Sequence, residues 1–390
     1  MRLADLLLPA ADGSLRPYTP GIAPELPAPA LPLRSRAVLA AAHVVVDPLA
    51  DVDPGSASAV DWEATLAYRR HLWSLGLGVA DAMDTAQRGA GLGWPAAREL
   101  IRLATAEARL VGGRIACGAG TDQLEPGGRH SLADVERAYA EQCELIEREG
   151  AQVVLMASRD MAAVAAGPED YAAVYGRLLA GLSRPAILHW LGAPFDPLLA
   201  GYWGSTDLDR AGATLLEIIA ARPDRVDGVK VSLLDASREV ALRRAMPAGT
   251  RVYTGDDLNY LELIRGDEEG HSDALLGVFD AIAPAAAAAI GALDGGDLEG
   301  YERILAPTVP LARHLFRAPT YHYKTGIVLL AYLNGHQSHF RMLGGLESAR
   351  SLVHIAELFV LADQAGILAD PQGAAARMRP LLELGGISGA

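Results

Sequence analysis

Asp227-Gly-Val-Lys-Val-Ser-Leu-Leu234 sets one lysine, Lys230, inside an apolar, β-branched run. Such a run reads as a short buried strand. Strand side chains alternate, so Gly228, Lys230 and Ser232 share one face, and Val229, Val231 and Leu233 the other. Burial disfavours an ammonium and pushes the amine toward its neutral form. A neutral amine attacks a carbonyl carbon and forms a Schiff base. The plainer alternative is a strand-end lysine with a buried stem and a solvated head. Other polar residues recur at the ends of the neighbouring predicted strands. They are His43, Asp47, Asp81, Asp84, Thr85, Thr121, Asp122, Ser158, Arg159, His189, Ser232, Asp256, Asp257 and Asp280. Singly each reads as a loop residue or a helix cap, with Asp257 a natural cap for the helix that follows it. Together they describe a polar cup around one lysine.

The elements that would hold this cup alternate between strand and helix. Strands are predicted at Ala37–Val46, Leu77–Ala82, Arg114–Ala119, Ala151–Ala157, Pro185–Trp190, the lysine strand, Arg251–Gly255 and Asp273–Val278. Helices are predicted between them, one opened by the capping-box pattern Ser131-Leu-Ala-Asp134. Eight such units predict an α/β fold, a (β/α)8 TIM barrel over residues 36–295. A doubly wound sheet would carry a phosphate-binding glycine loop after its first strand, and Ala41-Ala-His43-Val44 has none. Residues 296–390 read as a C-terminal helical extension, with helices at Leu298–Leu315, Lys324–Leu333 and Ser348–Ala365. Residues 1–35 hold seven prolines and read as an extended N-terminal arm.

The net charge of −14 argues against nucleic acid and anionic membranes as partners. No apolar run approaches the roughly 20 residues that a membrane span requires. The first residues lack the apolar core of a signal peptide. Cys117 and Cys143 form neither a disulfide framework nor a metal-ligand spacing, which fits a reducing cytoplasm.

Gly228-Val-Lys230, Thr254-Gly-Asp-Asp257 and Asp280-Ala-Ile-Ala-Pro284, in that order on strands six to eight, resemble the dihydrodipicolinate synthase and N-acetylneuraminate lyase superfamily. Ala186-Ile-Leu-His189 matches the apolar lead-in to that family's catalytic tyrosine. The resemblance implies that Lys230 forms an imine with a keto substrate, commonly pyruvate, without a bound cofactor, and that the chain is a dimer or tetramer. Two departures stand out. His189 replaces the proton-shuttling tyrosine, either as a proton relay or as a structural histidine. Met83-Asp-Thr-Ala-Gln-Arg-Gly89 replaces the family's carboxylate clamp, keeping Thr85 and adding Asp84, which repels a carboxylate, and Arg88, which could compensate.

The leading expectation is therefore a Schiff-base-forming lyase, retro-aldol or dehydratase, acting on a small carbohydrate-derived or keto-acid carbonyl compound. Lys230 and His189 carry the chemistry, and Asp84, Thr85, Arg159, Ser232, Asp256 and Asp257 bind substrate. Acids near the mouth suit hydroxyl-rich ligands, whose hydroxyls they accept from. Two alternatives stay open. One is a metal-dependent isomerase or aldolase using His43, Asp81, His189 and Asp256, and the other is a non-catalytic ligand-sensing barrel. Farther along, His336 and His339 would share a helix face as a metal pair requires, although no third ligand is visible. Lys324 is either a second functional amine or a solvated charge.

Overall fold

The computed structural model describes residues 6–53 and 59–387. An antiparallel hairpin, β1 (Leu6–Pro9) and β2 (Leu15–Tyr18), comes first. Eight parallel strands then close a barrel in chain order. They are β3 (Val38–Ala41), β4 (Gly78–Asp81), β5 (Ile115–Ala119), β6 (Gln152–Leu155), β7 (Ala186–Leu191), β8 (Val226–Ser232), β9 (Arg251–Thr254) and β10 (Asp273–Leu276), and β10 pairs back to β3. The predicted (β/α)8 barrel is the observed fold.

Strand alternation separates two cores. Val38, Val79, Cys117, Val153, Leu188, Val229, Val231 and Val252 pack outward in the large cluster shared with the helices. Leu39, Ala41, Ala80, Ala116, Val154, Ile187, Tyr253 and Leu275 form a second cluster that fills the barrel. Lys230 stands one residue from both Val229 and Val231, so it points into the barrel. Helix starts follow local chemistry. Asp61 accepts from the Ala64 N–H, and Ser131 and Asp134 form the reciprocal capping box that their spacing predicts.

Several boundaries differ from expectation, each for a visible reason. β3 stops at Ala41, and two residues later the His43 N–H donates to Asp280 Oδ2 at 2.6 Å. β10 stops at Leu276, because Val278 opens a short helix and its N–H donates to Asp257 Oδ1 at 2.7 Å. The helix predicted over Leu298–Leu315 divides into Leu298–Leu305 and Val309–Leu315, joined by a 3-10 turn containing Pro307. The β1–β2 hairpin and the helix Pro371–Leu384 were not predicted. β1 packs on that helix and on Leu352–Gln364. There the Tyr18 hydroxyl donates to Asp363 Oδ2 at 2.7 Å and the Gly21 N–H donates to it at 2.8 Å. The helix Tyr323–Leu333 packs on the short helix Val278–Ala281 that follows β10.

One ion pair ties the first helix to the barrel. Arg69 donates from Nε and Nη2 to the two oxygens of Asp81 at 3.0 and 2.8 Å, and both side chains are fully buried. Its Nη1 also donates to the carbonyls of His43 and Thr65. Removing one partner of such a pair leaves a buried charge uncompensated. Arg69→Met is expected to lower unfolding stability by about 3–5 kcal/mol in urea titrations. Adding Asp81→Leu should recover more than half of that loss, and no recovery would show that packing dominates.

Candidate active site

Lys230 is 7% exposed near the C-terminal end of β8, between His189 of β7 and Tyr253 of β9 in the ladder register. The chain leaving β9 passes close against it. A Cβ at Gly255 would lie 2.2 Å from Ser232 Oγ and 2.8 Å from Lys230 Cε, so any side chain there would push both aside. No carboxylate oxygen lies within 4.0 Å of Lys230 Nζ among the described residues. Burial lowers the pKa of Lys230, while the charges of Asp84 and Asp257 pull it back up. His189 is buried, with Nε2 3.3 Å from Ser232 Oγ and Nδ1 without a partner. Burial, helped by the charge of Lys230, holds it well below the usual imidazole pKa, so it is neutral at physiological pH.

The acids around this lysine divide into engaged and unengaged. Asp81 belongs to Arg69. Asp280 accepts from the His43 backbone N–H and lies 2.9 Å from its Nδ1, while His43 Nε2 lies 3.2 Å from Gln337 Oε1. Asp256 accepts from the N–H groups of Leu258 and Asn259 and from Asn259 Nδ2 at 2.8 Å. Asp256 thus holds the turn before the seventh barrel helix, whose first residue is Tyr260 and whose N-cap position, Asn259, makes no side-chain cap bond. Asp257 turns inward instead, and burial pushes its pKa up to about 7, against the opposing pull of the Val278 N–H and of Lys230. Asp84 lies in a 3-10 turn after β4 and makes no ion pair within 4.0 Å among the described residues.

Other expected binding residues have partners of their own. Arg88 donates to Asp122, to the carbonyls of Ala82 and Gly118, and to Gln142 Oε1, so it does not replace the missing carboxylate clamp. Arg159 pairs with Asp196 at 2.5 Å on the rim, with its side chain 59% exposed. Thr85 Oγ1 lies 2.9 Å from the Tyr323 hydroxyl. The metal set His43, Asp81, His189 and Asp256 does not converge, because the first, second and fourth are bound to different partners. His336 and His339 follow the helix that ends at Leu333, so they share no helix face. His336 stacks near His71 instead, and His339 Nδ1 accepts from the Arg341 N–H. No group of three or more potential ligands is placed to hold a metal among the described residues. A cavity of about 540 Å³ opens at the opposite end of the barrel, lined by Arg114, Gln152 and Asp227. Barrel chemistry belongs to the Lys230 end, where the strands finish.

The C-terminal extension supplies residues that the strand-end pattern could not reveal. Tyr323 is buried, stacks on Phe316 at 4.4 Å and meets Phe195 edge-on at 6.4 Å. Gln87 Nε2 donates to the Leu343 carbonyl at 2.9 Å, pinning the extension to the loop after β4. Lys324 is 7% exposed, so it is no solvated charge. Its Nζ donates to the Tyr321 carbonyl at 3.1 Å and stands 4.6 Å from the Tyr323 ring centroid. Composition held a pointer to it. Of 34 lysines and arginines in the chain, only Lys230 and Lys324 are lysine, and both are buried here.

A sequence family described as a protein of unknown function (DUF993) matches residues 6–387. No curated protein matches the sequence. Solved structures share the fold at low identity. Dihydrodipicolinate synthase from Aquifex aeolicus aligns with a TM-score of 0.60 at 12% identity, covering 90% of this chain and 98% of its own. A prophage protein of the dihydrodipicolinic acid synthase family from E. coli K12, in complex with pyruvate, gives 0.66 at 13%, covering 85% and 98%. A putative dihydrodipicolinate synthetase from Pseudomonas aeruginosa gives 0.63 at 17%, covering 85% and 99%. These likenesses show the barrel fold that the sequence resemblance implies.

Behind the β9 end, Glu239 accepts from Thr254 Oγ1 at 3.0 Å and from Ser272 Oγ at 2.7 Å. Burial pushes its pKa from the ordinary 4.5 up to about 8. Below pH 4.5 both folded and unfolded chains hold this proton. Between 4.5 and 8 the unfolded chain ionises and the folded chain does not, so stability falls as pH rises, by roughly 5 kcal/mol. Glu239→Gln cannot ionise. Its stability relative to wild type should therefore climb between pH 5 and pH 8.5 in urea melts, and a constant difference would show that Glu239 is ionised in the fold.

Proposed function

The chain belongs to the DUF993 family, and we propose that it is a lyase whose Lys230 forms a Schiff base with a small carbonyl substrate. The observation that carries this reading is a buried lysine, aimed into the barrel at the strand ends, with no carboxylate within 4.0 Å among the described residues. Such an amine is lowered toward the neutral form that attacks a carbonyl carbon. The resulting imine draws electrons from the adjacent carbon, which permits carbon–carbon cleavage or loss of a β-hydroxyl. Pyruvate in the E. coli relative supports a keto substrate, and the unengaged Asp84 supports one that also carries hydroxyls.

Two neighbours divide the remaining work. Asp257, with a pKa near 7, is matched to accept and return a proton at neutral pH. His189 is too weakly basic for that and instead fixes Ser232, keeping the wall beside the imine uncharged. Arg159 and Asp256 border the substrate site through the turns that they hold. Residues 36–295 form the catalytic barrel in this reading, and the extension closes its mouth. No described helix is long and apolar enough to cross a membrane. Cys117 and Cys143 are buried free thiols, in keeping with a reducing cytoplasm. A dimer or tetramer is the expected assembly.

Borohydride reduction in the presence of pyruvate or dihydroxyacetone should leave a mass adduct on Lys230. Lys230→Arg keeps the charge but cannot form an imine, so an adduct elsewhere, or turnover surviving in this variant, would sink the mechanism. Turnover should rise with pH through about 7 as Asp257 loses its proton. Asp257→Asn should remove that limb and lower the plateau on the order of 100-fold. A limb that persists in Asp257→Asn belongs to another group.

A further inference from the structure

The pattern of lysine use leads to a second working group. This chain employs arginine at every basic position except 230 and 324. Arginine supplies charge and hydrogen bonds but does not release its proton in a protein, whereas a buried lysine shifts its pKa and can. A chain that relies on arginine for surface charge keeps lysine at two buried positions, and one of them is the proposed nucleophile. Lys324 comes from the extension, beside the turn that holds Asp84 and Thr85. Tyr323, its neighbour in sequence, has its hydroxyl 2.9 Å from Thr85 Oγ1. Among the described residues its Nζ has one hydrogen-bond partner, the Tyr321 carbonyl, and the face of the Tyr323 ring, with no carboxylate within 4.0 Å. Buried charges are ordinarily paired, so an unpaired one marks a position under another demand.

We propose that Lys324 is the proton donor and acceptor for the carbonyl chemistry at Lys230, a second working amine that the C-terminal extension brings to the barrel. This rests on the imine reading above. The lone pair of Lys230 forms the C–N bond, and the carbonyl π pair moves to oxygen. One of the two Lys230 protons passes to that oxygen and the Lys324 ammonium delivers another. The C–O bond then breaks, water leaves, and a protonated imine and a neutral Lys324 amine remain. That amine takes the proton back from the attacking water when the product imine is hydrolysed, which restores the ammonium, while Asp257 serves the proton of the cleavage or dehydration step. Burial lowers the pKa of Lys324 and the charges of Arg159 and Lys230 lower it further, while Asp84 and Asp196 oppose them. The direction is the one that such a donor requires.

Two lysines make the test direct. Protein labelled with 13C at lysine Cε should give two resonances, assigned by Lys230→Arg and Lys324→Arg. Lys324 in the wild-type protein should titrate below the ordinary value of about 10.4. Single-turnover adduct formation on Lys230, trapped by borohydride with pyruvate or dihydroxyacetone, should slow on the order of 100-fold in Lys324→Met and equally in Lys324→Arg. Full recovery in Lys324→Arg would mean that only the charge matters, and it would overturn the proposal. So would a Lys324 that titrates at the ordinary value in the wild-type protein, a result that does not depend on either variant folding. Wild-type protein that forms no adduct with either probe overturns the imine reading and this role together. Adduct formation that survives in both Lys324 variants overturns this role alone.

Discussion

An amine inside a barrel can act as a nucleophile only while the surrounding carboxylates are kept from locking it as an ammonium. A pair of unit charges at 4 Å is worth about 4 kcal/mol at an effective dielectric of 20, equal to roughly three pKa units on the lysine. The strand ends here are rich in acid, so this constraint governs the design. Most of the strand-end acids have an ionic partner or several hydrogen-bond donors of their own, while Asp257 accepts from the Val278 N–H and Asp84 makes no ion pair within 4.0 Å among the described residues. Asp81 meets Arg69, Asp122 meets Arg88, Asp196 meets Arg159, Asp280 meets His43, and Asp256 meets Asn259 and two backbone N–H groups. The exceptions, Asp84 and Asp257, act on Lys230 through their field without contact. The arginines of the barrel wall thus hold Asp81, Asp122 and Asp196 in ion pairs of their own.

The same economy explains why the barrel does not end at its eighth strand. An open mouth would let water restore the ammonium and weaken every field inside. The extension covers it with Phe316 and Tyr323, and it is held by side-chain bonds from Thr85, Gln87 and His43. Those anchors all lie on loops that follow β3 and β4. The turn after β4 is under local strain, since Ala82 and Gln87 hold left-handed backbone without being glycine. The Arg88 bond to the Ala82 carbonyl and the Gln87 bond to Leu343 help to hold it. The Tyr323–Leu333 helix therefore packs directly on the turn that holds Thr85 and Asp84, the acid whose charge acts on Lys230.

What could be read in advance follows from which information is local. Strand positions, the inward face of Lys230 and the capping box at Ser131 depend on near neighbours, and they stand where the pattern puts them. Choices of partner depend on residues that lie on other elements, tens of positions away in the chain. Asp257, which reads as a natural cap for the helix after it, instead accepts from the Val278 N–H. Arg88 was a candidate clamp until Asp122 and Gln142, far along the chain, claimed it. His336 and His339 lost their shared face because the helix stops at Leu333, with Gly335 in left-handed backbone. Lys324 is the exception that was legible, through a count of lysines and not through any pattern around it.

Burial then acts on acid and base in opposite senses, and this makes the proton chemistry possible. Water favours both ionised forms, so removing it raises Asp257 toward 7 and lowers Lys230 and Lys324 from the usual lysine value. Groups that in solution differ by about six pKa units are drawn together. A proton moving from one to the other then meets a much smaller gap, and either group can exchange it with substrate at neutral pH. Direct contact between them would undo this, because an ion pair drives the two values apart again. On the proposed mechanism, the separation that leaves Lys230 free to attack is also the separation that lets Asp257 hold a proton, so one arrangement of the barrel mouth serves both.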